Sequence, residues 1–193
     1  MLTDAQIERY SRQILLAEVG ARGQRRLLDA RVAITGSGST AAAVGLLLGR
    51  AGVGTLDLGA DVPALRELSP DCRVERGMAP APDVRVDLTG AHRPTDELAP
   101  VVLGGLDGRE AVVHALVGRP CPACLEGARP AVPDGLAAAE AAALGALVAS
   151  ETLRLLLVPP ARGRTTILAL DGGTLAACEL PATRGCAACG GRR

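Results

Sequence analysis

The chain has 193 residues, 48% of them hydrophobic, and its 21 basic and 21 acidic side chains cancel. That length and apolar content can bury one sizeable core, whereas two full domains would each be small. A net charge of zero excludes a global field that would attract nucleic acid or an acidic membrane surface. All 21 positive charges are arginine, and the sequence contains no lysine and no asparagine. Any mechanism that needs a lysine on a phosphate is therefore excluded for this chain.

No stretch predicts a targeting signal or a membrane-spanning helix. The longest apolar stretches, near Ala141–Ser150 and Leu153–Pro160, are too short to span a bilayer, and Glu151 and Arg154 interrupt them. The sequence predicts a soluble, cytoplasmic protein.

The N-terminal part predicts two helices and then alternating strands and helices. Thr3-Asp4-Ala5-Gln6 has the pattern of a capping box, in which Gln6 reaches back to the first backbone amide of a helix. Gly52 has the position of a left-handed residue that ends a helix. The predicted elements are helices at about Asp4–Leu16 and near Ala21–Leu28, a core strand at Arg31–Thr35, a crossover helix at Thr40–Arg50 and a parallel strand at Thr55–Leu58.

The rest of the chain predicts short strands, one long helix and a hairpin. The middle is rich in proline and glycine, and its connections leave room for few helical turns. Asp171-Gly172-Gly173 is typical of a hairpin turn. The predicted elements are strands at Cys72–Glu75, Val84–Leu88, Val101–Leu103 and Ala111–Val117, an exposed linker at Arg129–Gly135, a helix at Leu136–Val158, and hairpin strands at Arg164–Leu170 and Thr174–Leu180.

A glycine loop between the first strand and the crossover helix is a candidate nucleotide site. Gly36-x-Gly38-x-x-Ala41 follows a buried strand and begins a helix, so free backbone amides and the positive helix end point outward, which suits a phosphate. The same turn also serves as a plain strand–helix connection. An acid near the end of the second strand is expected to contact the ribose, and Asp61 fits the loop position better than Asp57.

Two CxxC motifs are the strongest chemical signal in the sequence. Cys121 and Cys124, together with Cys186 and Cys189, supply four thiolates at a spacing typical of a tetrahedral zinc site. Two buried thiol pairs or a redox CxxC are the alternatives, and lasting disulfides are disfavoured in a cytosolic protein. With four sulfur ligands the metal has no open position for a substrate, so the sequence predicts a structural zinc.

Three smaller features allow more than one interpretation. Tyr10, the single aromatic residue, is either a packing residue or an anchor in a dimer. His114 lies in an apolar strand, which favours a satisfied core histidine. The long helix is expected to form a dimer surface with the N-terminal helices, or else its small residues face the sheet of the same chain; these residues are Ala141, Ala142, Ala143, Gly145 and Ala149.

Taken together, these segments resemble the ThiF/MoeB/HesA family, the bacterial relatives of ubiquitin-activating enzymes. The resemblance rests on the run Arg9-Tyr10-Ser11-Arg12-Gln13, the glycine loop, the paired CxxC motifs and the order of the elements along most of the chain. It implies a protein that binds ATP, adenylates the C-terminal glycine of a small ubiquitin-fold sulfur carrier, works as a homodimer and holds a structural zinc. By the same resemblance, Arg12 matches an arginine that reaches into the partner subunit's nucleotide site, and Gly36 and Gly38 match the loop at the phosphates.

The sequence departs from the family where the chemistry is carried. Gly59-Ala60-Asp61-Val62-Pro63-Ala64-Leu65 replaces a serine-asparagine-leucine-x-arginine-glutamine run that contacts ribose and phosphates. The family's phosphate-binding lysine is absent, and the linker Arg129–Gly135 lacks the cysteine that many members carry there. Thr89-Gly90-Ala91 stands where the family has a threonine-aspartate-asparagine triplet whose acid helps to hold magnesium. Because removal of one charge stabiliser commonly costs about 2.7–4 kcal/mol, the sequence predicts weak or lost catalysis.

The sequence therefore predicts a single α/β domain over residues 1–193. We expect a Rossmann-like, mostly parallel sheet with flanking helices, C-terminal antiparallel strands and a four-cysteine zinc knuckle. Residues 1–30 are expected to form N-terminal helices, 31–120 a reduced nucleotide-binding half and 121–193 a C-terminal half held by the zinc.

Partners and cofactors follow from the resemblance. The expected partners are a second copy or a related chain and a small ubiquitin-fold carrier, with no nucleic acid and no membrane; besides zinc, ATP with magnesium is the candidate cofactor. One alternative is a non-catalytic scaffold or the inactive half of a heterodimer. Another, an NAD-dependent enzyme, would need a substrate domain that the chain is too short to supply.

Overall fold

Strands and helices alternate along much of the chain. The structure is a computed structural model, and it describes residues 1–59, 62–77, 81–91, 99–125, 130–158, 163–181 and 185–189. The helices are α1 Asp4–Ile14, α2 Gly20–Asp29, α3 Gly38–Ala51, α4 Pro63–Leu68 and α5 Ala138–Leu157, and a 3-10 turn spans Pro122–Leu125. The strands are β1 Arg31–Thr35, β2 Thr55–Leu58, β3 Arg73–Glu75, β4 Val84–Asp87, β5 Val101–Asp107, β6 Glu110–Leu116, β7 Arg164–Ala169 and β8 Leu175–Glu179.

The strands form one eight-stranded sheet in the order β3-β2-β1-β4-β5-β6-β7-β8. The first five of these run parallel, whereas β6, β7 and β8 each run antiparallel to the strand before them. From β1 the strand order extends to β2 and β3 on one side and to β4 and β5 on the other, so the order switches between β1 and β4. Rossmann-like folds bind ligands at the carboxyl ends of the strands at such a switch point. The predicted α/β class, with a mostly parallel sheet and antiparallel C-terminal strands, is confirmed.

Local capping fixes the ends of the first helices as the sequence predicts. The backbone amide of Gln6 donates to the Thr3 hydroxyl at 3.3 Å, and the amide of Thr3 donates to Oε1 of Gln6 at 3.1 Å, which completes the capping box of α1. Gly52 follows α3 with a φ of 96°, the left-handed conformation that closes a helix.

One face of the sheet is apolar and lies beneath α3 and α5. Gly145 of α5 is packed against α3 so closely that an added Cβ would lie 2.7 Å from the Cβ of Ala43. Ala141 and Ala149 of the same helix are also buried. Ala141, Gly145 and Ala149 therefore face the interior of their own chain, one of the two arrangements that the sequence allows, whereas Ala142 of the same helix is exposed.

The opposite face of the parallel strands carries charged side chains. Arg31 of β1 pairs with Glu75 of β3 at 2.6 Å. The connection from β3 to β4 comprises only residues 76–83, and parallel strands usually need about a dozen or more residues to return through a helix. The expectation of few helical turns in this region is therefore met, and the sheet face is polar because the described residues of this connection form no helix over it.

Further along the same face, a small second core lies over the antiparallel strands. Leu103 and Leu116 pack with Leu125 of the 3-10 turn. His114 is buried, and its Nδ1 lies 2.8 Å from the hydroxyl of Thr165. His114 is thus a satisfied core histidine, as its apolar surroundings predict.

Three segments differ from the sequence prediction. The six-residue α4 was not expected, and β5 continues past Leu103 to Asp107. Within the predicted linker, Arg129 lies outside the described residues, whereas Pro130 is buried and Val132 is half-buried, so the segment is not fully exposed. None of the helices in the described ranges combines the length and apolarity needed to cross a bilayer.

Candidate functional site

The glycine loop joins the carboxyl end of β1 to α3, beside the end of β4. Gly36 and Gly38 both have positive φ, at 132° and 78°. A Cβ on Gly36 would approach the Cβ of Leu88 to 2.9 Å, whereas a Cβ on Gly38 would meet no atom within 4 Å. The loop therefore lies tightly against the end of β4 at Gly36 and has open space in front of Gly38.

The amino end of α3 is not capped by a side chain. Ser37 holds the N-cap position without a side-chain capping hydrogen bond, and no acidic residue lies in the first turn. The hydroxyl of Thr40 in that turn is buried and has no hydrogen-bond partner in the part of the chain that the structure describes. Uncapped amides at the positive end of a helix suit a phosphate. Ala41 is 1% exposed, in keeping with the close helix–strand packing for which this position of the loop is used.

A short hydrogen-bonded turn follows β4 on the other side of the crevice. Asp87 is 2% exposed. Its Oδ1 accepts hydrogen bonds from the backbone amide of Thr89 at 2.8 Å and from the Thr89 hydroxyl at 2.6 Å. The Asp87 carboxylate is therefore engaged in ordering this turn.

Gly90, where the family resemblance implies a metal-binding aspartate, lies against residues 130–132. It has a φ of 68°, and a Cβ there would lie 3.1 Å from the Cβ of Ala131. Two backbone hydrogen bonds of 3.0 Å hold that segment, one from the amide of Leu106 to the Ala131 carbonyl and one from the amide of Val132 to the Leu88 carbonyl. The loop thus fits a phosphate, whereas the residues at Gly90 do not fit a magnesium ion.

Three further residues that the sequence suggests for nucleotide binding lie outside the glycine loop: Arg12, Asp57 and Asp61. Arg12 is in the last turn of α1, where its side chain is exposed and makes no hydrogen bond within the described ranges. Asp61 lies outside the described residues. Asp57 in β2 accepts a 3.2 Å hydrogen bond from the backbone amide of Gly77.

Four cysteines form a compact cluster between the 3-10 turn and the C-terminal segment. The Sγ of Cys121 lies 3.9 Å from that of Cys124 and 3.8 Å from that of Cys186, and the Sγ atoms of Cys124 and Cys189 are 3.5 Å apart. All four sulfurs lie within 4.8 Å of one another. Tetrahedral zinc with bonds of about 2.3 Å to sulfur places its ligands about 3.8 Å apart. The four sulfurs therefore match the geometry of a single tetrahedral zinc ion.

Two thiols of this cluster, those of Cys121 and Cys189, have a raised pKa. Burial raises the pKa of Cys121, and burial together with the neighbouring Cys124 and Cys121 thiols raises the pKa of Cys189 to about 12. A cation bound by thiolates at Cys121 and Cys189 would therefore displace their protons, so metal binding would release protons.

A polar cluster on α1, which the sequence analysis missed, holds this helix against the segment before β3. Asp71 accepts hydrogen bonds from Nε2 of Gln6 at 3.2 Å and from the Tyr10 hydroxyl at 3.0 Å, and it forms an ion pair with Arg9. Burial would raise the pKa of Asp71, but these partners outweigh it and hold the pKa below its ordinary value. Burial and the Asp71 carboxylate raise the pKa of Tyr10 to about 12.

That cluster settles the role of Tyr10 within this chain. Tyr10 is 1% exposed, so it is a packing residue. Gln6, Arg9 and Tyr10 lie three and four positions apart and hence share one helix face, a signal that could have predicted a common acidic partner.

Known proteins with similar sequences are adenylyltransferases and their relatives, although no family model matches the chain. The sulfur carrier protein ThiS adenylyltransferase of Escherichia coli K12 is 47% identical to this chain over 60 residues. These residues cover 31% of this chain and 24% of that protein. Protein HesA, heterocyst, of Trichormus variabilis is 46% identical over 57 residues, covering 30% of this chain and 21% of HesA. The probable adenylyltransferase/sulfurtransferase MoeZ of Mycobacterium tuberculosis is 40% identical over 57 residues, covering 30% of this chain and 14% of MoeZ. The chain thus spans no more than 24% of the length of these relatives.

Solved structures share the fold over nearly the whole chain. The microcin C7 biosynthetic enzyme MccB in complex with N-formylated MccA superposes with a TM-score of 0.70 at 16% identity, covering 94% of this chain and 75% of MccB. E. coli MccB with ATP gives a TM-score of 0.67 at 17% identity, covering 94% of this chain and 74% of that one. PaaA gives a TM-score of 0.63 at 19% identity, with 92% of this chain and 74% of PaaA covered. The sheet with its flanking helices is therefore the fold of these proteins.

Proposed function

Because the chain belongs to the ThiF/MoeB/HesA family, we propose that it is a nucleotide-binding relative of the sulfur-carrier adenylyltransferases in which adenylate transfer is weak or lost. Nucleotide binding is supported by the amino end of α3, which begins at Gly38 without a side-chain cap and has open space beside that residue. In this proposal the loop residues Gly36 and Gly38 contact the phosphates, and Asp61 contacts the ribose. MccB, which has the same fold, is known with ATP.

The loss of catalysis is supported by the surroundings of Gly90. When a carboxylate of a carrier protein attacks the α-phosphate of ATP, both partners are negative, and pyrophosphate leaves with further negative charge. The family resemblance implies a lysine, an asparagine and a magnesium-binding aspartate around that charge. The chain has no lysine and no asparagine, and a Cβ at Gly90 would lie 3.1 Å from the Cβ of Ala131, closer than ordinary van der Waals contact. Each such stabiliser contributes about 2.7–4 kcal/mol, so backbone amides alone leave little rate enhancement even when the losses are not additive.

The four cysteines are proposed to hold a structural zinc. With sulfur at every position the ion has no site for a substrate, and it cross-links the 3-10 turn to residues 186–189. The zinc would thus stabilise the C-terminal part of a single domain without taking part in the reaction.

Ligand-detected NMR with ATP tests the binding proposal, because it responds to dissociation constants near 1 mM, equivalent to about −4 kcal/mol. We expect saturation transfer from the protein to the adenine protons, with no gain in affinity when Mg²⁺ is added. Gly38→Asp places an acid at the phosphate position and should abolish the signal. Gly38→Asn is the matched control, since asparagine tolerates positive φ and carries no charge, and it should keep the signal. A wild-type protein without saturation transfer would contradict nucleotide binding.

A second candidate function is that of the inactive partner in a heterodimer. Arg12 favours it, because its guanidinium is exposed and without a hydrogen bond in the described ranges, and the family resemblance implies an arginine that reaches into a neighbouring nucleotide site. Addition of this chain to a catalytically complete relative should then raise that relative's adenylation rate, and Arg12→Ala should remove the increase. Arg22→Ala, an exposed arginine on α2, is the control.

A further inference from the structure

Residues 130–132 lie across the carboxyl ends of two strands as a short extended segment. Ala131 forms an isolated antiparallel bridge with Leu106 of β5. Its carbonyl accepts a 3.0 Å hydrogen bond from the Leu106 amide. The amide of Val132 donates a second bond of 3.0 Å to the carbonyl of Leu88. Backbone groups therefore hold this segment to β5 on one side and to the residue after β4 on the other.

Two glycines allow the backbone of the segment to come this close. A Cβ on Gly105 would lie 2.5 Å from the carbonyl carbon and from the carbonyl oxygen of Ala131. A Cβ on Gly90 would lie 3.1 Å from the Cβ of Ala131 and 3.4 Å from the carbonyl oxygen of Pro130. Glycine within a strand often marks a place where a ligand or another backbone approaches closely. Gly90 and Gly105 thus form a glycine shelf that accepts an extended backbone.

The segment runs toward the glycine loop of the nucleotide site. Between Ala131 and Val132 the chain passes from β5 to the end of β4, and β1 is the next strand in that direction. Leu88 lies against the start of the loop, because a Cβ on Gly36 would approach its Cβ to 2.9 Å. A peptide in the same path would therefore direct its carboxyl end toward the phosphate position.

The contact with the shelf depends on backbone atoms and not on a large side chain. Ala131 is exposed, and both hydrogen bonds join backbone groups. Pro130 is buried, and the half-buried Val132 packs against the main core, so the segment is anchored on either side of Ala131. The shelf itself suits an extended peptide of small residues, such as a tail that ends in glycines.

We propose that residues 130–132 block, within their own chain, the path by which the glycine-ended tail of a carrier protein reaches the glycine loop. This inference rests on the proposed function, because it takes the carrier tail as the competitor. Tail and segment use the same backbone partners, the Leu106 amide and the Leu88 carbonyl, so the segment must leave before the tail binds. The affinity for the tail is then reduced in proportion to the fraction of molecules whose shelf is open.

Fluorescence anisotropy of a short labelled peptide that ends in Gly-Gly, titrated with the full chain, tests this competition. Val132→Pro removes the amide that donates to Leu88. We expect it to tighten peptide binding about three- to tenfold, the change in open population that one hydrogen bond supports. Val132→Ile keeps the amide and a branched apolar side chain, so it should bind the peptide as the wild type does.

Two further variants separate release of the segment from binding of the peptide. Gly105→Ala places a Cβ on the shelf, so it should displace the segment without any gain in peptide binding. Ala131→Pro puts a ring on a nitrogen that lies against Gly105, and it should act as Val132→Pro does, also where that variant does not fold. Hydrogen exchange at the Leu106 amide should be faster in both proline variants than in the wild type and should slow again when peptide is added.

The inference is overturned if the wild type binds the peptide as tightly as both proline variants. It is also overturned if neither proline variant binds peptide or regains protection at Leu106. Saturation transfer from the same samples to ATP is measured separately. A positive ATP signal beside a failed peptide result leaves the proposed nucleotide binding in place and refutes only the blocked path, whereas a missing ATP signal contradicts the proposed function itself.

Discussion

The hydroxyl of Tyr10 donates a 3.0 Å hydrogen bond to Oδ2 of Asp71, and this bond joins α1 to a segment 61 residues further along the chain. Arg9 and Gln6 contact the same carboxylate. Three side chains of one helix face therefore depend on a single acid, and the contact of α1 with the segment before β3 depends on the charge of Asp71.

Replacement of Asp71 by asparagine should lower the free energy of unfolding by about 1.5–3 kcal/mol at pH 7, the typical contribution of hydrogen bonds to a charged group. The folded-state pKa of Asp71 lies below its ordinary value, so its stabilisation is present above pH of about 4 and is lost as the pH falls through the folded pKa. Urea unfolding at pH 7 and near pH 3 should therefore show a smaller difference between Asp71→Asn and wild type in acid. Glu8→Gln, an exposed change on α1, is the control; a difference independent of pH would contradict the role of the charge.

The zinc proposal predicts one zinc per chain in purified protein, measured by elemental analysis. Cys186→Ser should lose the metal and lower the thermal midpoint by several degrees, because metal binding to a structural site contributes directly to folding. Cys178→Ser, an exposed cysteine outside the cluster, should retain both. A metal-free protein whose midpoint does not change on chelation would show that the cluster is not a zinc site.

A buried acid in α5 provides a prediction about the antiparallel part of the sheet. Glu151 is 4% exposed, and it accepts hydrogen bonds from the Thr166 hydroxyl at 2.7 Å and from Nε of Arg154 at 2.8 Å. Glu151→Gln leaves the half-buried Arg154 without its acid and should cost about 1.5–3 kcal/mol in chemical denaturation. Thr166→Val removes the hydrogen bond to Glu151 and a longer one, 3.3 Å, from Nε of Arg164, and should cost about 1 kcal/mol. Glu140→Gln on the same helix should have little effect, and a similar cost for all three changes would refute the account of this network.

Local sequence signals predict the helices and strands of this chain better than they predict the contacts between distant segments. The capping box of Thr3 and Gln6, the end of α3 at Gly52 and the first strand Arg31–Thr35 all depend on a few neighbouring residues, and the structure contains them as predicted. The six-residue α4 was missed because it is too short to show helical periodicity. The predicted β5 is too short because Gly104 and Gly105 interrupt its apolar pattern. Gly105 is required there because a Cβ at this position would lie 2.2 Å from the backbone nitrogen of Ala131.

The candidate site also combines short local motifs with contacts between distant segments. The glycine loop and the four cysteines are contained in short motifs, so the sequence alone predicts them. The contact between Gly90 and Ala131 and the pairing of Tyr10 with Asp71 join segments far apart in the chain. Such contacts depend on the packing of the whole sheet, which no local pattern encodes.

The close contact between Gly90 and Ala131 predicts that an aspartate introduced at position 90 will not create a magnesium site. Gly90→Asp adds a side chain where φ is 68° and where the Cβ of Ala131 would lie 3.1 Å away. We expect it to destabilise the protein by about 1–3 kcal/mol, the usual cost of overpacking, and to give no magnesium-dependent binding of ATP in calorimetry. Thr89→Ser, a neighbouring change that keeps the hydroxyl bonded to Asp87, is the control. Magnesium-dependent binding by Gly90→Asp would show that residues 130–132 move aside.

The central proposal, that this chain combines the family fold with weak or lost catalysis, is tested most directly by ATP–pyrophosphate exchange. The assay uses the purified chain alone with a ThiS-type carrier protein, and the E. coli ThiS adenylyltransferase serves as the positive control. We predict no exchange above background for this chain. Robust exchange that Arg12→Ala or Asp61→Ala abolishes would show that the chain is a working adenylyltransferase and would contradict the account.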